Sequence, residues 1–293
     1  MIVVTGGTGK LGRLIVERLL DRMPPARVGA SVRDPAKAAD LAARGVRVRR
    51  GDFAAPDTLG HAFEGAEVLL LVSSNAGATG GDPLAQHRAA IEAAAAAGVR
   101  RIVYTSHMGA GAASAFPPMR DHSATEAMLA GSGLAWTALR NGFYARSALD
   151  LMGPAFETGV LEAPADGPVA WTTHGDLAEA TATLLVDGAP DGPTPPLTGR
   201  EALDLDALAR LAGEAGRPMR RMVVDAEAVR AGMAARGAPP TAAAAVLGLY
   251  AAARAGEFAR VDPALEQLLG CPPVAMRAVL GERVREGRPG FGR

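Results

Sequence analysis

The chain has 293 residues, 48% hydrophobic and 21% charged, a composition that buries a sizeable core without disulfides or metals and excludes a disordered chain. Its 31 basic and 31 acidic residues cancel, and Arg100-Arg101 and Arg220-Arg221 are too short to be basic tracts, so nucleic acid is set aside as a partner. The single cysteine, Cys271, excludes an internal disulfide framework.

The first half alternates short apolar runs with helical patterns. Strands are expected at Ile2 to Val4, Arg27 to Val32, Val46 to Arg49, Glu67 to Val72, Arg101 to Thr105 and Ala135 to Leu139. Helices are expected between them at Leu11 to Leu20, Ala36 to Arg44, Leu59 to Phe63, Ala85 to Ala97 and Ala124 to Ala130. Strands this apolar are buried on both faces, which means a parallel sheet clothed by helices. After Asn141 the rhythm breaks at Pro154, Pro164 and Pro168, and irregular chain is expected there. A helix follows at Asp176 to Val186, then a Pro/Gly/Asp loop at Asp187 to Pro196. The remainder reads as mainly helices, with Val223-Val224 as a short strand. The expected fold is α/β: a Rossmann-type doubly wound parallel sheet with a smaller, mostly helical C-terminal lobe. The first domain covers residues 1-150 with 171-190 returning to it. A small substrate-binding lobe covers 191-293 with 151-170.

The segment Thr5-Gly6-Gly7-Thr8-Gly9-Lys10-Leu11-Gly12 follows the first strand and opens the first helix. Glycines at 6, 9 and 12 serve a tight turn, close approach to a pyrophosphate, and close helix-on-strand packing. The helix start then offers free N–H groups and its positive dipole end to the phosphates. The second strand ends Val32-Arg33-Asp34-Pro35, where the adenosine ribose of a dinucleotide lies. Arg33, helped by Lys37, would take a 2′-phosphate, whereas Asp34 would take an unphosphorylated ribose or simply start a helix. The arginine favours NADPH. Asp52, in Gly51-Asp52-Phe53, either contacts adenine or caps a turn.

These motifs, together with Ala96-Ala97-Gly98-Val99-Arg100-Arg101-Ile102-Val103-Tyr104-Thr105-Ser106, resemble the NmrA-like, atypical short-chain dehydrogenase/reductase family. Thr125-Glu126-Ala127-Met128-Leu129, Leu139-Arg140-Asn141-Gly142-Phe143-Tyr144, Gly256-Glu257-Phe258-Ala259 and Leu269-Gly270-Cys271-Pro272-Pro273 extend the resemblance over nearly the whole chain, toward quinone-reducing members. The resemblance implies cofactor contacts from Gly6, Thr8, Gly9, Lys10, Leu11, Arg33 and Asp52, with Gly12 completing the turn and Lys37 the phosphate site. It implies that Ser73 and Ser74 run beside the cofactor, and that Asn141, Phe143 and Tyr144 lie near the nicotinamide.

Short-chain dehydrogenases commonly donate a proton from a tyrosine whose pKa a lysine four residues later lowers. If Glu126 aligns with the family's helical glutamate, His122 stands at the lysine position and Pro118 at the tyrosine position. No such dyad is then expected. A quinone is already electrophilic, so its reduction needs mainly proximity and orientation. His122, with an ordinary pKa near 6.5, would donate a proton or hydrogen bond. Tyr144 would stack on the ring beside Phe143. Against these stand simpler readings: His122 as a surface residue before a helix, Ser123-x-x-Glu126 as a capping box, and Phe143 and Tyr144 as core. His107 follows the fifth strand, but a single histidine there is a weak signal. No histidine spacing suggests a metal.

The expected activity is NADPH-dependent hydride transfer to a quinone or similar small electrophile. The alternative is a non-catalytic NADP(H)-binding redox sensor that binds a partner protein; a reductase dedicated to one biosynthetic substrate is a third. A small-molecule substrate, a cytoplasmic setting and no membrane contact are expected. A homodimer stays open.

Overall fold

The computed structural model describes residues 1–286. The chain divides into two compact units. The first contains 1–112, 120–141 and 174–195; the second contains 113–119, 142–173 and 196 onward.

The first unit is built on a seven-stranded, wholly parallel sheet. Six strands are β1 (Ile2–Thr5), β2 (Val28–Val32), β3 (Arg47–Arg50), β4 (Val68–Leu71), β5 (Arg101–His107) and β6 (Ala135–Asn141). The order is β3-β2-β1-β4-β5-β6, with the two-residue strand Gly192–Pro193 beyond β6. The order reverses beside β1, the switch point where ligands of open α/β sheets bind. The helices alternating with these strands are α1 (Lys10–Leu20), α2 (Ala39–Ala43), α3 (Leu59–Phe63), α4 (Pro83–Ala96) and α5 (Pro117–Ala130).

Each strand of the sheet centre is apolar because both faces are covered. One face packs Leu69, Leu71, Ile102 and Tyr104 against Phe63 of α3 and Ile91 of α4. On α1, Leu11, Ile15, Val16 and Leu19 recur at helical spacing and are buried. The helix His174–Asp187 packs against α1, and Glu179 accepts ion pairs from Arg18 and Arg22. No described helix is long and apolar enough to cross a membrane.

Four expectations need correction. The segment Ala36 to Arg44 is a 3₁₀ turn, Pro35–Ala38, followed by α2; Asp34 starts that turn by accepting from Ala36 N–H at 3.1 Å. Helix α5 begins seven residues before Ala124, at Pro117, because proline suits the first helical turn. Ser123 and Glu126 therefore lie inside a helix and form no capping box. The loop Asp187 to Pro196 contributes the seventh strand. Asp191 takes Arg101 of β5 at 2.7 Å, and Thr194 donates its N–H to Ala138 of β6 at 2.9 Å. Finally, the proline-marked stretch after Asn141 is regular in part.

That stretch belongs to the second unit. Strands Phe143–Tyr144 and Trp171–Thr172 pair in parallel, as do Val160–Ala163 and Arg220–Val223. Its helices are Ala145–Met152, Ala155–Thr158, Leu205–Glu214, Ala226–Ala235, Pro240–Arg254, Ala264–Leu269 and Met276–Glu286. The core gathers Met152, Leu161, Trp171, Leu208, Phe258 and Leu280. Buried Arg221 ties its strand pair together, donating to the carbonyls of Ala163, at 2.7 Å, and Pro164, at 2.5 Å, and pairing with Asp166 at 3.3 Å.

Candidate functional site

In a parallel sheet every strand ends at the same edge. The first unit therefore gathers the segments after β1 to β6 along one rim, although they are far apart in sequence.

After β1 the chain turns at Gly6, whose φ of 61° falls in the left-handed region that glycine tolerates. Gly9 N–H donates to Gly6 O at 2.8 Å and closes the turn. A side chain at Gly12 would put Cβ 2.9 Å from the Gly6 carbonyl carbon and closer still to its oxygen, so only glycine lets α1 sit against the turn. Gly9 caps α1 without a side chain, and the first turn carries no acid. Arg13 N–H is the first to bond back, to Gly9 O. The N–H groups of Lys10, Leu11 and Gly12 thus have no backbone acceptor, as at any helix start. Thr8, Gly9 and Lys10 are exposed around them, and Leu11 anchors the turn in the core. The arrangement is an uncapped, acid-free helix N-terminus of the kind that accepts phosphate.

At the ends of β2 and β3, the two readings of Arg33 and Asp34 separate. The Asp34 carboxylate is engaged with Ala36 N–H. Arg33 and Lys37 are exposed and carry no ion pair among the described residues. Arg50, not singled out from sequence, is also exposed; it is the register partner of Val32, so the chain ends of β2 and β3 hold three cations. Alternation in β3 was the available signal: Arg47 and Arg49 donate to the carbonyls of Glu64 and His61, both at 2.6 Å, whereas Arg50 ends the strand without such an acceptor. Asp52 is half-buried and receives Ala54 N–H at 3.0 Å, which is the turn-capping role.

After β4, Ser73 N–H donates to Thr105 Oγ1 at 2.8 Å. Ser74 is held more firmly. Its N–H donates to His87 Nε2 at 2.8 Å, and its hydroxyl donates to Gln86 Oε1 at 2.5 Å. An N–H donor on Nε2 leaves the His87 proton on Nδ1, which lies 2.9 Å from Thr125 Oγ1 of α5. The Thr125 hydroxyl in turn donates to Asp121 O at 2.8 Å.

Beside this chain stands a cluster of rings that the sequence did not reveal. Tyr104 of β5 is fully buried, and its hydroxyl lies 2.8 Å from His122 Nδ1. The His87 ring meets Tyr104 edge-on at 5.4 Å, and His107 stacks with His122 at 6.0 Å. Burial pushes His87 down to about 4 and His107 down to about 3. Burial, with His107 and His87 nearby, holds His122 well below the ordinary imidazole range. The expectation of an imidazole titrating near 6.5 is thus corrected. His122 is neither a surface residue nor ahead of its helix; it is half-buried inside α5.

One turn further along α5, Glu126 is buried. It accepts from Ser106 Oγ at 2.6 Å and from Arg140 Nη2 at 2.7 Å. Asn141, at the end of β6, is fully buried, and neither end of its amide has a hydrogen-bond partner among the described residues. Phe143 is core in the second unit, packed edge-on against Phe258 at 5.1 Å and Trp171 at 5.4 Å. Tyr144 is half-buried in the same unit. The structure therefore gathers the glycine turn, Arg33, Lys37, Asp52, Ser73, Ser74, His122 and Asn141 in the first unit, whereas Phe143 and Tyr144 fall in the second.

Comparison with known proteins gives a consistent picture. The family model described as NAD(P)H-binding matches residues 6–185. Quinone oxidoreductase 2 of Escherichia coli (strain K12) is 41% identical over 210 residues, covering 71% of this chain and 72% of that protein. An NmrA-like family domain-containing oxidoreductase of Aspergillus flavus is 33% identical over 293 residues, covering 98% of this chain and 95% of that protein. Among solved structures, the NADPH-dependent quinone oxidoreductase QOR2 of Escherichia coli complexed with NADPH superposes with a TM-score of 0.89. It is 34% identical and covers 97% of this chain and 99% of that one. With its seven-stranded parallel sheet and glycine-rich first turn, the chain belongs to the NAD(P)H-binding NmrA-like family.

Proposed function

We propose that the chain is an NADPH-dependent oxidoreductase that reduces a quinone or a similar small electrophile. The observation that carries the cofactor choice is the division of labour after β2: Asp34 is engaged in capping, and Arg33 is left as an exposed, unpaired cation. A carboxylate free to hold the ribose hydroxyls would favour NADH; a free guanidinium favours the 2′-phosphate. The turn fits a pyrophosphate on independent grounds, since Gly12 admits no side chain and the first-turn N–H groups are open.

In this reading Gly6, Thr8, Gly9, Lys10, Leu11 and Gly12 hold the pyrophosphate, and Arg33 with Lys37 holds the 2′-phosphate. Asp52, Ser73 and Ser74 line the cofactor, and Asn141 and Phe143 act near the nicotinamide end. Asn141 is fully enclosed, so its amide reaches the carboxamide only after a local shift. Phe143 then acts through packing rather than direct contact. Bound NADPH supplies the hydride. The residues supply orientation and one hydrogen-bond donor, His122, without a tyrosine–lysine pair. A quinone tolerates this because the charge left on its oxygen is delocalised over the ring, so no strong acid is needed. The second unit supplies substrate selection, with Tyr144 as its half-buried aromatic.

The test is NADPH consumption by the purified protein with and without a panel of simple quinones, with NADH in parallel. Quinone-dependent turnover that prefers NADPH supports the reading. Tight NADPH binding with no turnover on any quinone overturns it in favour of a sensor.

A further inference from the structure

Two histidines, His87 and His122, flank one buried tyrosine in the first unit, a third, His107, stacks on His122, and hydrogen-bond partners decide where two of their protons lie. His87 takes an N–H donor on Nε2 from Ser74, so it carries its proton on Nδ1. His107 takes Gly109 N–H on Nδ1 at 3.1 Å, so it carries its proton on Nε2. The third, His122, has Tyr104 Oη 2.8 Å from Nδ1. A phenol is a stronger donor than a neutral imidazole N–H, and an imidazole nitrogen is a stronger acceptor than a phenol oxygen. The hydrogen bond therefore runs from Tyr104 O–H to Nδ1, and the His122 proton sits on Nε2.

We propose that Tyr104 is a positioning residue that locks His122 in the neutral Nε2–H tautomer, so that Nε2–H is kept as a fixed hydrogen-bond donor for the substrate. This deepens the quinone-reductase reading and rests on it. The cluster around the pair supports the assignment. Tyr104 is itself immobile: its ring is fully buried in the sheet core and braced edge-on by His87. His87 is held at both nitrogens, by Ser74 and by Thr125. The hydroxyl is thus aimed by a chain of contacts running from the loop after β4 to the helix that carries His122.

A locked tautomer matters for this chemistry. Adding hydride to a quinone leaves negative charge on oxygen. An Nε2–H already in place stabilises that charge without reorganising. The oxygen then takes its proton from solvent, giving the hydroquinone and the oxidised cofactor, and His122 stays neutral throughout. The opposite tautomer would present a lone pair to the oxygen and repel it.

Two measurements test the pair. Long-range ¹H–¹⁵N correlation spectra of the ¹⁵N-labelled, ligand-free protein at pH 7.5 read the tautomer directly, with His122→Gln identifying the signal. The expected result is one neutral tautomer with the proton on Nε2, replaced in Tyr104→Phe by a mixture of tautomers. With 1,4-benzoquinone, Tyr104→Phe should lose at least fivefold in kcat while KM for NADPH moves less than twofold. A wild-type Nδ1–H signal overturns the proposal, and so does a Tyr104→Phe protein that keeps both its tautomer and its kcat. If wild-type protein reduces no quinone, the functional reading fails, and the wild-type spectrum alone still judges the Tyr104–His122 pair. Tyr104→Phe keeps the buried ring; should it nevertheless unfold, that same spectrum decides.

Discussion

Glu126 of α5 clamps Arg140 of β6 at 2.7 Å while accepting Ser106 Oγ of β5 at 2.6 Å. One buried carboxylate thus ties a helix to the ends of two adjacent strands, directly below the rim that carries His107 and Asn141. The Glu126 side chain is 10% exposed and that of Arg140 is 32% exposed, so solvent partly screens the pair. Glu126→Leu removes the carboxylate and leaves Ser106 and Arg140 without their acceptor. It should lower unfolding free energy by about 2 kcal/mol after that discount. An unchanged urea midpoint would show that the clamp is ornamental.

Gly12 makes the turn a second point of test. A methyl group there meets backbone rather than a flexible side chain, so the turn itself must shift. Gly12→Ala is expected to weaken NADPH binding at least tenfold and to destabilise the fold by about 1–3 kcal/mol. Titration of NADPH fluorescence reads the first effect and thermal unfolding the second. Wild-type affinity in the variant would remove the pyrophosphate assignment.

The cations after β2 and β3 predict cofactor discrimination. Arg33→Ala should raise KM for NADPH about tenfold and leave KM for NADH within twofold, since a phosphate ion pair contributes on the order of 1.4 kcal/mol or more. Arg50→Ala should act in the same direction and more weakly. An equal rise for both cofactors in Arg33→Ala would end the 2′-phosphate assignment. Asp34→Ala should cost about 1 kcal/mol of stability through the lost cap and leave the NADPH preference intact.

The neutral histidines predict acid sensitivity of a definite sign. In the unfolded chain each imidazole titrates near 6.5; in the fold His87 titrates at about 4 and His107 at about 3. Between those values the unfolded state binds more protons, so stability is fully present above pH 6.5 and falls as pH drops toward 4. The slope is about 1 kcal/mol per pH unit for each of the two. Asp82, before α4, is the charged group that acts on His87, and it favours the protonated imidazole; Tyr104 on β5 lies against His87 and His122, and burial raises the Asp121 carboxyl of α5. His122 is depressed in the same direction, so kcat should show no imidazole inflection between pH 6 and 8, in contrast to the expectation from its unperturbed pKa. Melting temperatures that stay level from pH 7 to pH 5 would contradict the buried neutral cluster.

Asn141 should trade stability against function. Both ends of its enclosed amide lack partners among the described residues, a cost of about 1–3 kcal/mol. Asn141→Leu removes that cost and should stabilise the fold by about 1 kcal/mol, while weakening NADPH binding if the amide meets the carboxamide. A variant that is more stable and binds NADPH as before would leave Asn141 without a cofactor role.

The parallel sheet, the glycine turn after β1 and the arginine after β2 were all legible in the amino-acid sequence. Each is written in local terms: apolar runs bounded by turn residues, glycine spacing, and a charge at a strand end. What local pattern could not decide was every feature made by a distant partner. Helix α5 was read seven residues short; its first turn holds Pro117 and Pro118, and proline favours a helix only in that first turn. That shift alone hid the register of His122 over Tyr104 and of Glu126 over Ser106. The seventh strand was hidden in the loop Asp187 to Pro196, since Arg101 and Ala138 hold it in place and its own residues do not favour a strand. Between Arg33 and Asp34, the backbone N–H of Ala36 that engages Asp34 is a contact the sequence alone did not specify. Protonation states were beyond sequence altogether, because a histidine's pKa is set by how much water and which charges surround it. Sequence determined the parallel sheet and the glycine turn that follows its first strand, because both are local patterns; tertiary structure decided which side chains stay exposed, which are engaged and which histidines stay neutral, because distant partners and burial set those.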